Sequence, residues 1–154
     1  MRKLVIILLL AFPLVMHATL LHDAIDGGTN EDLIQVLRSG VKIGERDKYG
    51  ETPLAMAISK TNAVFVSTLL AHRAIPAIHD LRIAVRTGNL EIIEMLLRHR
   101  AHLNVTKNQS PIISPVFIAI ERGDSKSLQI LVRYGLKLDG VYENDTEVMF
   151  RKRS

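Results

Sequence analysis

The sequence predicts an all-α solenoid in which pairs of short helices stack on one another. Three observations support this: an alanine recurs at near-regular spacing, apolar and turn residues recur at fixed offsets from it, and the apolar positions have helical spacing. The alanines are Ala24, Ala57, Ala84 and Ala119, separated by 33, 27 and 35 residues. Because one helix pair cannot bury its own apolar face, neighbouring pairs must stack to form a core.

Residues of similar type also recur at fixed offsets from these four alanines. Three positions before each alanine stand the apolar residues Leu21, Leu54, Leu81 and Val116. Four positions after it stand Gly28, Thr61, Gly88 and Gly123. Thirteen positions after it stand Leu37, Leu70, Leu97 and Val132, followed three residues later by Gly40, Arg73, Arg100 and Gly135. This agreement indicates a repeated unit.

Each copy predicts two short helices joined by a tight turn. The first helix carries the L-x-x-A pair on one face and ends at the glycine or at Thr61. The second helix begins after a capping residue, which we predict to be Asn30, Asn89 or Asp124. Its apolar stripe is formed by Leu33, Val36 and Leu37 in the first copy and by Ile92, Ile93, Leu96 and Leu97 in the third.

The stretch "DKYGETPLAMAI" resembles the T-P-L-H-x-A signature of the ankyrin repeat family. The other copies keep "LLHDAI", "DLRIAVRTGNLEIIEMLLRHRAHLN" and "SPVFIAIERGD", so the resemblance covers residues 19–139. It implies about four repeats, near 19–46, 47–77, 78–104 and 105–139, with short β-hairpin fingers between them. About six residues are missing between Ala74 and Leu81, which predicts that one finger is shortened.

Residues 1–18 have the layout of a secretory signal peptide. Arg2 and Lys3 precede an apolar stretch over 4–12, Pro13 interrupts it, and Ala18 suits the position before cleavage. We therefore expect a secreted or periplasmic protein with a repeat domain over 19–140 and a C-terminal cap or tail over 141–154. Two other interpretations stay open, an uncleaved membrane anchor and a first helix of the folded domain.

Composition excludes several classes of function. The chain has no Cys, so it has no disulfide, thiolate nucleophile or Cys-ligated metal. Five of its 20 basic residues lie at the two chain ends, which leaves 15 basic against 16 acidic residues in the body. A nucleic-acid-binding protein needs a basic face, so we expect no nucleic-acid partner.

No catalytic or cofactor motif is present. His99 and His102 form an H-x-x-H pair, but neither a nearby carboxylate nor Cys completes a metal site. Glu91 and Glu94 have the spacing of an exposed helix face and are interpreted that way. The resemblance implies that His22, at the histidine of the signature, hydrogen-bonds backbone between neighbouring units. We predict a non-enzymatic protein without a metal or cofactor.

The resemblance also implies where a partner binds, at finger tips and on the exposed side of the first helices. The candidate contact residues are Lys48, Tyr49, Glu51, Met56, Lys60, Arg82, Arg86, Phe117 and Arg122. Tyr49 and Phe117 are the candidate anchors, since aromatic side chains contribute most contact energy per residue. The alternative is that Tyr49 packs on the next finger and that Phe117 belongs to the core.

Charges of both signs on this surface predict a protein partner of matching charge. We expect a monomer that inhibits, protects or scaffolds that partner, with no membrane contact once the signal peptide is removed. Two alternatives remain: a membrane-tethered structural protein held by an uncleaved N-terminal helix, and an effector exported into a host cell.

Overall fold

The computed structural model describes residues 17–99 and 114–135, and these ranges contain eight helices and no β-strand. The helices are α1 (His17–Gly27), α2 (Asn30–Arg38), α3 (Pro53–Ser59), α4 (Ala63–Ala71), α5 (Ile78–Thr87), α6 (Leu90–Arg98), α7 (Pro115–Glu121) and α8 (Ser125–Arg133). Residues 1–16 of the predicted signal peptide over 1–18, and the predicted tail over 141–154, lie outside the described residues, whereas residues 17–18 belong to α1. The predicted all-α solenoid is confirmed.

The helices form two layers. The inner helices α1, α3, α5 and α7 pack on one another in chain order, and the outer helices α2, α4, α6 and α8 do the same. Each inner helix also packs on the outer helix of its own pair. The core therefore runs continuously between the layers, as expected for units that cannot cover their own apolar faces.

The repeating apolar positions fill this core. Leu21, Leu54, Leu81 and Val116, which occupy one register position, are all buried. Fully burying a leucine or valine side chain stabilises the folded state by about 1.5–3 kcal/mol relative to exposure. Ala57, Ala84 and Ala119 are completely buried, and their small side chains let adjacent inner helices approach closely.

Capping residues start the helices. Asn89 accepts a hydrogen bond from the N–H of Ile92 at 3.1 Å, and Asp124 accepts one from Ser127 at 3.0 Å, which confirms both predicted caps. Thr52 caps α3 in the same way, and the proline that follows suits the first turn because its missing N–H has no helical partner there.

The predicted cap Asn30 is wrong. Thr29 caps α2 instead: its Oγ1 accepts from the N–H of Asp32 at 3.2 Å, and its own N–H donates to the Asp32 carboxylate at 2.9 Å. The reason is spacing, because the reciprocal capping box needs an acceptor three residues after the cap, and Asp32 stands three after Thr29. Asn30 is the first helical residue, and its Oδ1 accepts from the Thr68 hydroxyl at 2.7 Å.

Two loops between pairs differ greatly in length. The first finger, residues 39–52, separates α2 from α3, whereas a short connection of residues 72–77 separates α4 from α5. The predicted shortening is thus confirmed. The first finger closes as a hydrogen-bonded turn without paired strands, with the N–H of Asp47 donating to the carbonyl of Glu51 at 2.9 Å.

Candidate partner-binding surface

The tip of the first finger presents an exposed aromatic ring on an ordered turn. Tyr49 is 78% exposed, so the alternative in which it packs on another finger is wrong. The Asp47 carboxylate accepts hydrogen bonds from the N–H groups of Tyr49 at 2.9 Å and Glu51 at 2.8 Å. Lys48 Nζ lies 4.9 Å from the centroid of the tyrosine ring, within range of a cation–π interaction.

The same hydrogen bonds affect the Asp47 carboxyl group. Desolvation raises its pKa, but the N–H groups of Glu51 and Tyr49, together with the charges of His22 and Lys48, outweigh that effect, and the pKa lies below its ordinary value of 3.8. The carboxylate is therefore stabilised in its charged form, which keeps the turn closed.

The base of the first finger is attached to the preceding helix pair. His22 Nε2 donates a hydrogen bond to the carbonyl oxygen of Glu51 at 2.9 Å, and the imidazole is only 4% exposed. This confirms the structural role predicted for the signature histidine. Glu51 thus contributes its backbone to the scaffold and its half-buried side chain to the finger.

Two of the candidate cations lie near the preceding unit. Lys60, just after α3, forms an ion pair with Asp26 on α1 at 2.7 Å. The hydrogen bond from Lys60 and then its positive charge hold the pKa of the Asp26 carboxyl below 3.8, against a small effect of desolvation. Arg122 lies close to the preceding pair at Gly88, where an added Cβ would stand 4.0 Å from its Nη2.

The remaining candidates occupy three register positions of the inner helices. Arg82 and Phe117 follow Leu81 and Val116 directly and so share the position of His22, whereas Met56 lies one position later in its unit. Met56 and Phe117 are half-buried, and Met56 packs against the core. Arg82 Nη2 donates to His79 Nδ1 at 3.3 Å, and Arg86 is exposed in the last turn of α5.

A groove of about 370 Å³ lies between the first finger and the short connection, and the sequence did not reveal it. Its lining residues are Ile43, Gly44, Arg46, Gly50, Glu51, Thr52, Leu54, Ala55, Arg73, Ala74, Ile75, Ala77, His79 and Asp80. The shortened loop was visible as a gap in the repeat spacing. The cavity that it leaves depends on the neighbouring finger and carries no sequence motif.

Asp80 lies below the surface of this groove. Its carboxylate accepts a hydrogen bond from the N–H of Ala77 at 2.7 Å, and the residue is 5% exposed. Desolvation raises the pKa of Asp80 above 3.8, although the Ala77 hydrogen bond and the nearby His79 and Arg46 oppose this shift. The Asp80 carboxylate therefore caps the N-terminus of α5.

Residues considered for metal binding or catalysis have other contacts. Within 17–99 and 114–135, no cluster of three His, Asp or Glu side chains is arranged to hold a metal ion. His99 Nδ1 donates to the carbonyl of Met95 at 2.9 Å, and His102 lies outside the described residues. The Glu94 carboxylate forms ion pairs with Arg98 at 3.2 Å and Arg133 at 3.8 Å.

In the part of the chain that the structure describes, every helix falls short of the length and apolar character needed to span a bilayer.

Comparison with known proteins agrees with this architecture. The family model described as "Ankyrin repeats (3 copies)" matches residues 21–108, more than half of the chain. The chain belongs to the ankyrin repeat family. The ankyrin repeat fold is typically a non-enzymatic protein–protein interaction module.

Similar proteins have very different names. The chain is 30% identical over 100 residues to human ankyrin repeat and SOCS box protein 14, covering 63% of the chain and 17% of that protein. It is 33% identical over 130 residues to human transient receptor potential cation channel subfamily A member 1, covering 79% of the chain and 12% of that protein. It is 31% identical over 107 residues to bovine dynein axonemal heavy chain 12, covering 68% of the chain and 28% of that protein.

The chain spans between 12% and 28% of the length of these three relatives. The similarity is therefore confined to a part of each relative.

Proposed function

We propose that this chain is a non-enzymatic interaction module that binds another protein outside the cytoplasm, where it inhibits, protects or scaffolds that partner. The family supports the general role, and the observation that carries the proposal is the exposed Tyr49 on its fixed turn. An aromatic side chain on an ordered backbone loses little conformational entropy on binding, so it contributes strongly to affinity.

The charge distribution supports a protein partner. Lys48 and Glu51 flank Tyr49 with opposite charges, and the inner helices contribute Arg82 and Arg86. A surface of mixed sign selects a partner of complementary pattern and does not favour a uniform polyanion. Lys60 and Arg82 already hydrogen-bond to neighbouring side chains, whereas Lys48 lies beside the exposed Tyr49 ring and Arg86 is exposed. We therefore expect Lys48 and Arg86 to reach the partner first.

We also infer that α7 and α8 form a fourth repeat beyond the three that the family model matches. Asp124 caps α8 as Asn89 caps α6, and Gly123 adopts a left-handed φ of 64° where Gly88 has 73°. The register residues Val116 and Ala119 are buried like their counterparts. Deleting residues 114–135 should therefore expose the face of α5 and α6 and lower the melting temperature.

Export is supported by the layout of residues 1–18 and is tested by N-terminal sequencing of the mature protein. A mature start at or near Thr19, with the protein in the periplasm or medium, is expected. Recovery of the intact N-terminus in the membrane fraction supports the tethered alternative instead. Recovery inside a second cell supports the exported effector.

Partner binding is tested with a photo-crosslinking amino acid at position 49 in the native host. Val64, 58% exposed on the outer helix α4, supplies a matched control position. A protein crosslinked from position 49 and not from position 64 is the expected partner. Equal crosslinking from both positions contradicts a specific surface, and native mass measurement of the free chain checks that it is a monomer.

A further inference from the structure

The groove between the first finger and the short connection is a consequence of unequal loop lengths. The first finger has 14 residues, 39–52, whereas the short connection has six, 72–77, so the finger stands without an equally long neighbour on that side. The resulting space of about 370 Å³ lies at the lower end of the range for binding pockets. It has room for a few side chains of a partner.

One wall of the groove offers an apolar contact that nothing in the described residues covers. Ile75, in the short connection, is 87% exposed, the highest exposure of any large hydrophobic side chain in the described residues. Leu54, Ala55 and Ala74 form buried apolar lining nearby. A ligand side chain placed here would remove apolar surface from water, which is favourable.

The groove also carries positive charge at its surface. Arg46, Arg73 and His79 line it and are exposed, while Glu51 is half-buried and Asp80 is buried beneath it. The formal charges of Arg46 and Arg73 are balanced by those of Glu51 and Asp80, but the two arginines are exposed, whereas the two carboxylates are half-buried or buried. Charge complementarity favours an acidic ligand.

Arg73 is the cation best placed to bind such a ligand. Arg46 Nη1 already donates to the carbonyl of Gly50 at 2.6 Å, whereas the guanidinium of Arg73 has no hydrogen bond or ion pair with the residues that the structure describes. A guanidinium has five N–H donors and binds a carboxylate through two parallel hydrogen bonds.

The backbone at Arg73 adds a second observation. Its φ is +69°, a left-handed conformation that disfavours side chains, and the equivalent positions of the first and fourth pairs hold Gly40 and Gly135 with φ of 84° and 88°. The chain thus carries an arginine where glycine would be less strained. Thr61, at the other turn of the same pair, has φ +53° and does not line the groove, so it provides a matched control for strain.

We propose that this groove binds a short acidic segment of a partner protein, with a carboxylate on Arg73 and an adjacent apolar side chain against Ile75. The inference rests on the proposed protein-binding function and names the chemistry of the partner. It assigns the groove to recognition of a peptide and leaves Tyr49 as the anchor at the finger tip.

The test uses capped five-residue peptides and the full chain, with affinity measured by calorimetry. The acidic probe is Gly-Glu-Leu-Glu-Gly, and its controls replace both Glu residues with Gln or with phosphoserine. We expect the acidic peptide to bind about tenfold or more tightly than the Gln peptide, since charge-assisted hydrogen bonds account for the difference. Raising the salt concentration should lower the affinity of the chain for the acidic peptide and leave its affinity for the Gln peptide unchanged.

Variants separate recognition from stability. Arg73→Gly should lower the affinity for the acidic peptide about tenfold, because the guanidinium that binds the carboxylate is lost. The melting temperature should stay equal or rise, because glycine relieves the strain of the left-handed backbone. Ile75→Ser should also weaken binding without loss of stability, because the side chain is exposed. Thr61→Gly relieves the same kind of strain and should bind the peptide like the unchanged chain.

Equal affinity for the acidic and Gln peptides overturns the proposal, as does unchanged binding by Arg73→Gly. Binding of the phosphoserine peptide alone assigns the groove to a different ligand and also overturns it. These outcomes are distinct from failure of the proposed function. A partner that crosslinks at position 49 and still binds Arg73→Gly with unchanged affinity removes the groove proposal and leaves the interaction module intact.

Discussion

His22 on α1 donates a hydrogen bond from Nε2 to the carbonyl oxygen of Glu51, across a distance of 2.9 Å and 29 residues of sequence. The bond attaches the base of the first finger to the preceding helix pair. The backbone of Glu51 also forms hydrogen bonds with Asp47 at the turn that carries Tyr49. The position of the exposed Tyr49 therefore depends on this buried imidazole. The scaffold and the candidate surface are therefore coupled through one histidine.

His22→Ala should lower the free energy of unfolding by roughly 1–3 kcal/mol, because a buried hydrogen bond is lost and its acceptor is left without that partner. Urea unfolding measures the change. Asp23→Ala is the control, since Asp23 is exposed on the same helix and should have little effect. Equal stability of the two variants would show that the His22 bond does not hold the finger.

Adjacent glycines at the end of α1 should respond differently to alanine. A Cβ on Gly28 would lie 2.6 Å from the backbone oxygen of Ala24, so Gly28→Ala should destabilise by roughly 1–3 kcal/mol. A Cβ on Gly27 would meet nothing within 4 Å, and Gly27→Ala should leave stability unchanged or higher. Thermal unfolding compares them, and a larger loss for Gly27→Ala would contradict the turn geometry.

The ion pair between Lys60 and Asp26 should be visible in a titration. Because the hydrogen bond and charge of Lys60 lower the pKa of the Asp26 carboxyl, Lys60→Met should return that pKa toward 3.8. The stabilisation from the pair is present above the unfolded pKa and is lost as pH falls through the folded pKa. NMR titration of the carboxyl resonance measures the shift, and an unchanged pKa in the variant would show that the pair does not form in solution.

Asp80 should give the opposite pH dependence. Desolvation raises its folded pKa above 3.8, so the folded state binds a proton more tightly than the unfolded state does. Asp80 therefore contributes more stability as pH falls through the folded pKa toward the unfolded one. Relative to Asp80→Asn, the unchanged chain should gain stability over that range. Denaturant unfolding at a series of pH values checks this, and a parallel pH dependence of the two proteins would contradict the burial of the carboxylate.

The repeat was predictable because its positions are set by local contacts. Ala57, Ala84 and Ala119 are buried where their spacing placed them, and Asn89 and Asp124 cap helices as short polar side chains do. The choice between Thr29 and Asn30 was less determined, since both are good capping residues. Only the partner three residues later, Asp32, decides between them.

The candidate site was less predictable because it depends on relations between units. The sequence indicated a shortened loop but not the groove beside it, since a cavity arises from what neighbouring loops fail to fill. Likewise, the register of Lys60 alone predicts a partner contact. Its ion pair with Asp26 involves a residue 34 positions away and becomes visible only when the units are stacked.

The affinity of the chain for the partner crosslinked at position 49 tests the central claim most directly. Tyr49→Ala should raise the Kd about tenfold or more, as loss of an interface anchor does, while the melting temperature stays nearly unchanged because the ring is 78% exposed. Val64→Ala is the control and should bind like the unchanged protein. An unchanged Kd for Tyr49→Ala, or a melting temperature lowered by several degrees, would contradict the assignment of Tyr49 as a binding residue.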